Sequence, residues 1–105
     1  MAQFAENLKK LPGISHLAAI RLLDGENEVA VIENKVGDQG ALAIYNHVAQ
    51  TYGAITPDAA RKGLELYAEH AEDARRHPGK HPHIDRLAAL IEEGKTLRVQ
   101  CVFAL

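Results

Sequence analysis

Thr56-Pro57-Asp58-Ala59-Ala60-Arg61-Lys62-Gly63-Leu64-Glu65-Leu66-Tyr67 opens a long helical pattern that runs to about Arg76. It ends in the turn His77-Pro78-Gly79-Lys80-His81-Pro82-His83. Thr56 suits an N-cap, because its hydroxyl can accept from an unpaired amide of the first turn. Pro57 follows where a missing N–H costs nothing. Asp58 sets a negative charge at the positive end of the helix dipole. Ala60, Leu64, Tyr67, Ala71 and Ala74 then recur every three or four residues, the spacing of one buried face. On the solvent face the spacing predicts the pairs Arg61–Glu65 and Glu72–Arg76, each worth only about 0.3–0.5 kcal/mol. Gly63 costs about 1 kcal/mol relative to alanine inside a helix, so a close neighbour is expected there. The helix cannot pass His77, because a residue ahead of proline is pushed out of the α region.

Working outward, residues 3–11 place Phe4, Leu8 and Leu11 on one side of a short helix that Pro12-Gly13 stops. Residues 16–23 and 28–33 read as two strands, with Asp24-Gly25-Glu26-Asn27 as the hairpin turn. The first strand is apolar on both faces apart from Arg21, so it belongs at the sheet centre. The second carries Glu28 and Glu33 at its ends, which suits an edge. Residues 41–52 form a helix with Leu42, Tyr45, Val48, Ala49 and Tyr52 inside and Asn46 and His47 outside. Asp38 is in place to cap it, and Gly53 ends it. Beyond the histidine turn, Ile84, Leu87, Ala88 and Ile91 mark a further helix that Gly94 stops. Leu97, Val99, Cys101 and Phe103 then alternate with polar neighbours as a last strand.

The expected fold is α+β, in the order α-β-β-α-α-α-β. A three-stranded sheet, made of the N-terminal hairpin and the C-terminal strand, carries helices mainly on one face. A chain of 105 residues has room for one core, so residues 1–105 are read as one domain.

Composition narrows the function. The formal net charge of −2 lacks the basic surface that nucleic acid demands. No apolar run approaches a bilayer span. Met1-Ala2-Gln3-Phe4-Ala5-Glu6 lacks the basic and apolar regions of a signal peptide. A single cysteine, Cys101, excludes an internal disulfide and points to a reducing cytoplasm. Protonating all six histidines would move the formal charge from −2 to +4.

Two stretches carry chemistry. Asp73, His77, His81 and His83 supply imidazole and carboxylate donors that suit zinc and related divalent ions. His70 and His77 are seven positions apart, about 10.5 Å along a helix, too far to share one ion. Pro78 and Gly79 also break the helical register between His77 and His81. The other stretch is the loop Lys35-Val36-Gly37-Asp38-Gln39-Gly40, where Lys35, Gly37, Gln39 and Gly40 could offer an anion a charge and backbone amides. The loop matches no phosphate-binding fingerprint, and Asp38 opposes an anion. Cys101 has no histidine near it in sequence and Ser15 is the lone serine, so no nucleophile with its base is visible.

The runs Glu28-Val29-Ala30-Val31-Ile32-Glu33-Asn34-Lys35, Gly40-Ala41-Leu42-Ala43-Ile44-Tyr45-Asn46 and Tyr67-Ala68-Glu69-His70-Ala71-Glu72-Asp73-Ala74-Arg75 resemble a family of small bacterial proteins, a domain of unknown function. His77-Pro78-Gly79-Lys80-His81-Pro82, followed by Ile84-Asp85-Arg86-Leu87, is the most specific part of that likeness. The resemblance spans nearly the whole chain and implies a bacterial cytosolic protein. It carries no catalytic residues.

Three readings follow. The first is a small non-enzymatic binding or regulatory module, without cofactor, that contacts a protein partner or itself. The second is a divalent-metal site, such as zinc, at Asp73, His77, His81 and His83. The third is an anion or nucleotide site at residues 35–40.

Overall fold

The computed structural model describes residues 3–105; Met1 and Ala2 of the N-terminal run lie outside the described residues. The elements are α1 (Phe4–Lys9), β1 (Leu17–Asp24), β2 (Asn27–Glu33), α2 (Gln39–Tyr52), α3 (Pro57–Tyr67), α4 (Glu69–Arg76), α5 (Pro82–Glu93) and β3 (Arg98–Phe103). The fold is α+β, and the sheet is antiparallel in the order β2-β1-β3. The most apolar strand stands at the centre, as its pattern requires. Ile20, Leu22 and Ile32 point into the core, where Leu42, Ile44, Tyr45 and Val48 of α2 cover them. Val31, Gln100 and Val102 lie on the opposite, open side.

Each of the two strand pairings has one irregularity. The β1–β2 register shifts between Leu22 and Leu23, so Val29 is an extra residue in β2. The β1–β3 register shifts between Leu17 and Ala19. Gly25, at φ +61, takes the left-handed position of the hairpin turn.

The helical layer is organised by Gly63. A Cβ at this position would lie 2.9 Å from Leu87 Cδ1 and 3.6 Å from Ile44 Cγ2, so α3 meets α5 and α2 through bare backbone. Thr56 Oγ1 accepts from the Ala59 amide at 3.0 Å, which fixes the start of α3 as its sequence predicts.

The long helix differs from expectation. It breaks at Ala68, whose φ of +52 and ψ of −118 end α3 and restart the chain as α4. The break is imposed from α1. Asn7 Nδ2 donates to the Leu66 carbonyl at 2.9 Å, and the Phe4 N–H donates to Glu69 Oε1 at 2.8 Å. Other details also move. Asn46 is buried and Tyr52 exposed, because the apolar arc of α2 is centred on Ile44, Tyr45 and Val48. Arg61 pairs with Asp58 at 2.7 Å and Lys62 with Glu65 at 3.3 Å, while Arg76 reaches Glu72 at 3.7 Å. Asp38 occupies the N-cap of α2 without a side-chain cap bond.

Candidate functional site

The turn between α4 and α5 is held by a carboxylate. Asp73 Oδ2 stands 2.6 Å from His81 Nε2 and 3.0 Å from Lys80 Nζ, and Asp73 Oδ1 stands 3.8 Å from His77 Nε2. Hydrogen bonds from His81 and Lys80 hold the Asp73 carboxyl down at about 2. An ionised carboxylate only accepts, so Nε2 of His81 carries the hydrogen that faces Asp73. Asp85 Oδ2 accepts from the Gly79 amide at 2.9 Å and closes the turn.

His83 does not join this group. Its Nδ1 lies 3.0 Å from an Arg86 guanidinium nitrogen, and its Nε2 lies 3.7 Å from Asp38 Oδ1. Arginine donates only, so His83 Nδ1 accepts and Nε2 bears the hydrogen that faces Asp38. Burial and the neighbouring Arg86 push the His83 imidazole below its usual range, against the pull of Asp38. Beneath it, the Tyr45 hydroxyl donates to the His83 carbonyl and receives Arg86 at 3.3 Å. Burial pushes the Tyr45 hydroxyl up to about 12.

These two histidines meet the loop ahead of α2. A cleft of about 210 Å³ is lined by Gly37, Asp38, Lys80, His81, His83 and Ile84, with Pro82. The two stretches that carried chemistry in the sequence therefore share one depression. Tyr67 of α3 is stacked on Phe4 with ring centroids 5.7 Å apart. Its buried hydroxyl has no hydrogen-bond partner among the described residues. Burial raises this hydroxyl's pKa, and the charges that act on it are those of Tyr45, Arg86 and Asp38. His70 contributes a ring packed edge-on against Phe4 and 5.8 Å from the His81 ring.

The remaining loop residues are engaged elsewhere. Lys35 Nζ lies 3.4 Å from Glu33 and 3.8 Å from Asp38. Gln39 donates to Asn34 Oδ1 at 3.1 Å. Gly40 leaves room for Phe4, whose Cζ lies 2.6 Å from where a Cβ would stand. Of the four proposed metal ligands, Asp73, His77 and His81 stand together and His83 stands apart. No group of three or more His, Cys, Asp or Glu with the arrangement of a metal site occurs among the described residues. Lys80 already supplies a positive charge to Asp73. Sequence reasoning named Asp38 only as a helix cap and a group that opposes anions, and missed Tyr45 and Arg86 as parts of this region. The one signal was Tyr45 on the apolar face of its helix, where a buried hydroxyl needs a partner.

A second depression, of about 490 Å³, is apolar and runs between α3, α4 and α5 past Leu64, Ala71, Ala74, Pro78, Ile84 and Ala88. Of the large exposed apolar side chains among the described residues, Val29 and Val31 lie on β2 and Val102, Phe103 and Leu105 on and after β3, while Val36 in the loop ahead of α2 and Tyr52 in α2 lie apart from them.

Compared with known proteins, residues 4–101 match the model of a family described as "Uncharacterized protein conserved in bacteria (DUF2322)". The chain belongs to this family. The match takes in every element of the fold, with β3 entered as far as Cys101. No curated protein and no solved structure matches the chain. Among the described residues, no helix is long and apolar enough to cross a membrane.

Proposed function

We propose that this family member is a small non-enzymatic binding module that works by protein contact, and that it pairs with a second copy of itself along the free edge of β3. The observation that carries the reading is the difference between the two edges of the sheet. The β2 edge is guarded by Glu28 and Glu33 and distorted by the extra residue Val29. Charges and bulges of this kind keep an edge strand from pairing. Residues 99–105, Val-Gln-Cys-Val-Phe-Ala-Leu, hold no charge and no proline.

An antiparallel pair about a two-fold axis requires a self-compatible strand. With the axis at Cys101, Val99 of one copy faces Phe103 of the other, and Gln100 faces Val102. Each of these pairs lies on one face of the joined sheet, because side chains alternate along a strand. Phe103, 65% exposed in the single chain, then gains an apolar neighbour. The sole charge of β3, Arg98, falls opposite Ala104 of the other copy and already donates to the Gly25 carbonyl at 2.7 Å. No like charges meet. A single strand pair buries little area, which suits a weak dimer that forms as concentration rises. A reducing cytoplasm belongs to the same reading, since it keeps two facing Cys101 thiols free.

Sedimentation velocity over a concentration series tests the proposal. The mass should climb from 11.5 kDa toward twice that value. A constant monomer mass into the hundreds of micromolar would remove the self-pairing.

A further inference from the structure

We infer that the cleft between the loop at Gly37-Asp38 and the turn at Lys80-His81 binds a small zwitterion, an ammonium and a carboxylate a few bonds apart as in a free amino acid. The wall from the loop offers Asp38. The wall from the turn offers Lys80, with His81 beside it.

The polar groups of this cleft have capacity to spare. Asp38 faces His83 at 3.7 Å and Lys35 at 3.8 Å, and neither distance is a hydrogen bond. Its carboxylate therefore keeps acceptor sites for an ammonium. Lys80 spends one of its three hydrogens on Asp73 at 3.0 Å, and the other two remain for a carboxylate. Asp73 fixes the His81 ring through Nε2.

Charge and size select the class. Charges of both signs surround the cleft: Asp38 near Lys35 on the loop, Lys80 bonded to Asp73 on the turn, and Arg86 beside His83. Phosphate is opposed by Asp38, and a divalent cation by Lys80. A zwitterion answers both signs at once. About 210 Å³ is below the range of roughly 300–1,000 Å³ that holds drug-sized ligands, so the occupant is a small metabolite.

The test is an amide-shift titration of the full-length chain with individual L-amino acids. Acetate, methylammonium and inorganic phosphate serve as probes of single charge sign. Saturable shifts at Gly37, Asp38, Lys80, His81 and His83 with at least one amino acid, absent with the other probes, are expected. Asp38→Asn and Lys80→Gln should each weaken that binding about tenfold or more, since each removes a charge-assisted hydrogen bond. Both side chains are partly exposed, and unchanged circular dichroism verifies that each variant folds. Saturation by phosphate or acetate alone would overturn the zwitterion, and so would the lack of saturable shifts with every amino acid.

Discussion

The side-chain amide of Asn7 donates to the carbonyl of Leu66 at 2.9 Å, across 59 positions of sequence. In an unbroken helix that carbonyl would accept from the amide of His70. Asn7 takes that place, and the chain turns at Ala68. The bond is partly buried, with Asn7 only 7% exposed, so Asn7→Ala leaves a carbonyl short of a partner. The substitution should destabilise the fold by about 1–3 kcal/mol in urea unfolding. A change of under half that lower bound would mean that water replaces the bond at no cost.

Ala68 itself stands at φ +52 and ψ −118, a conformation that glycine adopts far more readily than alanine. Ala68→Gly should therefore stabilise the protein by about 1 kcal/mol, an inversion of the usual cost of glycine near a helix. Thermal unfolding of the variant measures the sign directly. Destabilisation would show that the added freedom of glycine in the unfolded chain outweighs the backbone strain at Ala68.

Gly63 and Leu87 form a coupled pair. Gly63→Ala gains about 1 kcal/mol of helix propensity and loses about 1–3 kcal/mol to overpacking against Leu87, for a net loss of about 1 kcal/mol. Leu87→Ala alone should cost about 2–5 kcal/mol by opening a cavity. In the Leu87→Ala background the added methyl has space, so Gly63→Ala should become stabilising. A double-mutant cycle that shows additivity would contradict the 2.9 Å approach.

The sheet was legible because its signals are local. Residues 17–23 are apolar on both faces and stand at the centre, while Glu28 and Glu33 mark an edge. Thr56-Pro57, Gly53 and Gly94 placed helix ends for the same reason. The break at Ala68 was not legible. Tyr67, Ala68 and Glu69 carry no breaker, and the groups that interrupt the helix are Asn7 and Phe4, far away in sequence. The site divides in the same way. Asp73 with His77 and His81 was visible as a helical flank running into a turn. The approach of Asp38 to His83, and the joining of both stretches in one cleft, depend on how α2 and α5 each pack against α3.

Asp73 gives the fold a defined acid sensitivity. Its carboxyl falls from the ordinary 3.8 to about 2 in the folded protein, because His81 and Lys80 bond to its ionised form. A depressed carboxyl contributes stability above its unfolded pKa and loses that contribution as pH falls through the folded value. The wild-type chain should therefore lose stability more steeply than Asp73→Asn between 3.8 and about 2. Urea midpoints of both proteins, taken in steps across that window, measure the difference. Parallel curves would show that the Asp73 contacts are not kept in solution.

Pairing along β3 is decided most directly by comparing the wild-type chain with Val102→Lys/Phe103→Lys in sedimentation velocity. Both side chains are exposed in the single chain, at 38% and 65%, so the double variant should keep its fold. The wild type should approach twice 11.5 kDa as concentration rises, and the variant should stay at 11.5 kDa with an unchanged circular dichroism spectrum. A wild type that stays monomeric, or a variant that dimerises as well as the wild type, would contradict the assignment of β3 as the contact edge.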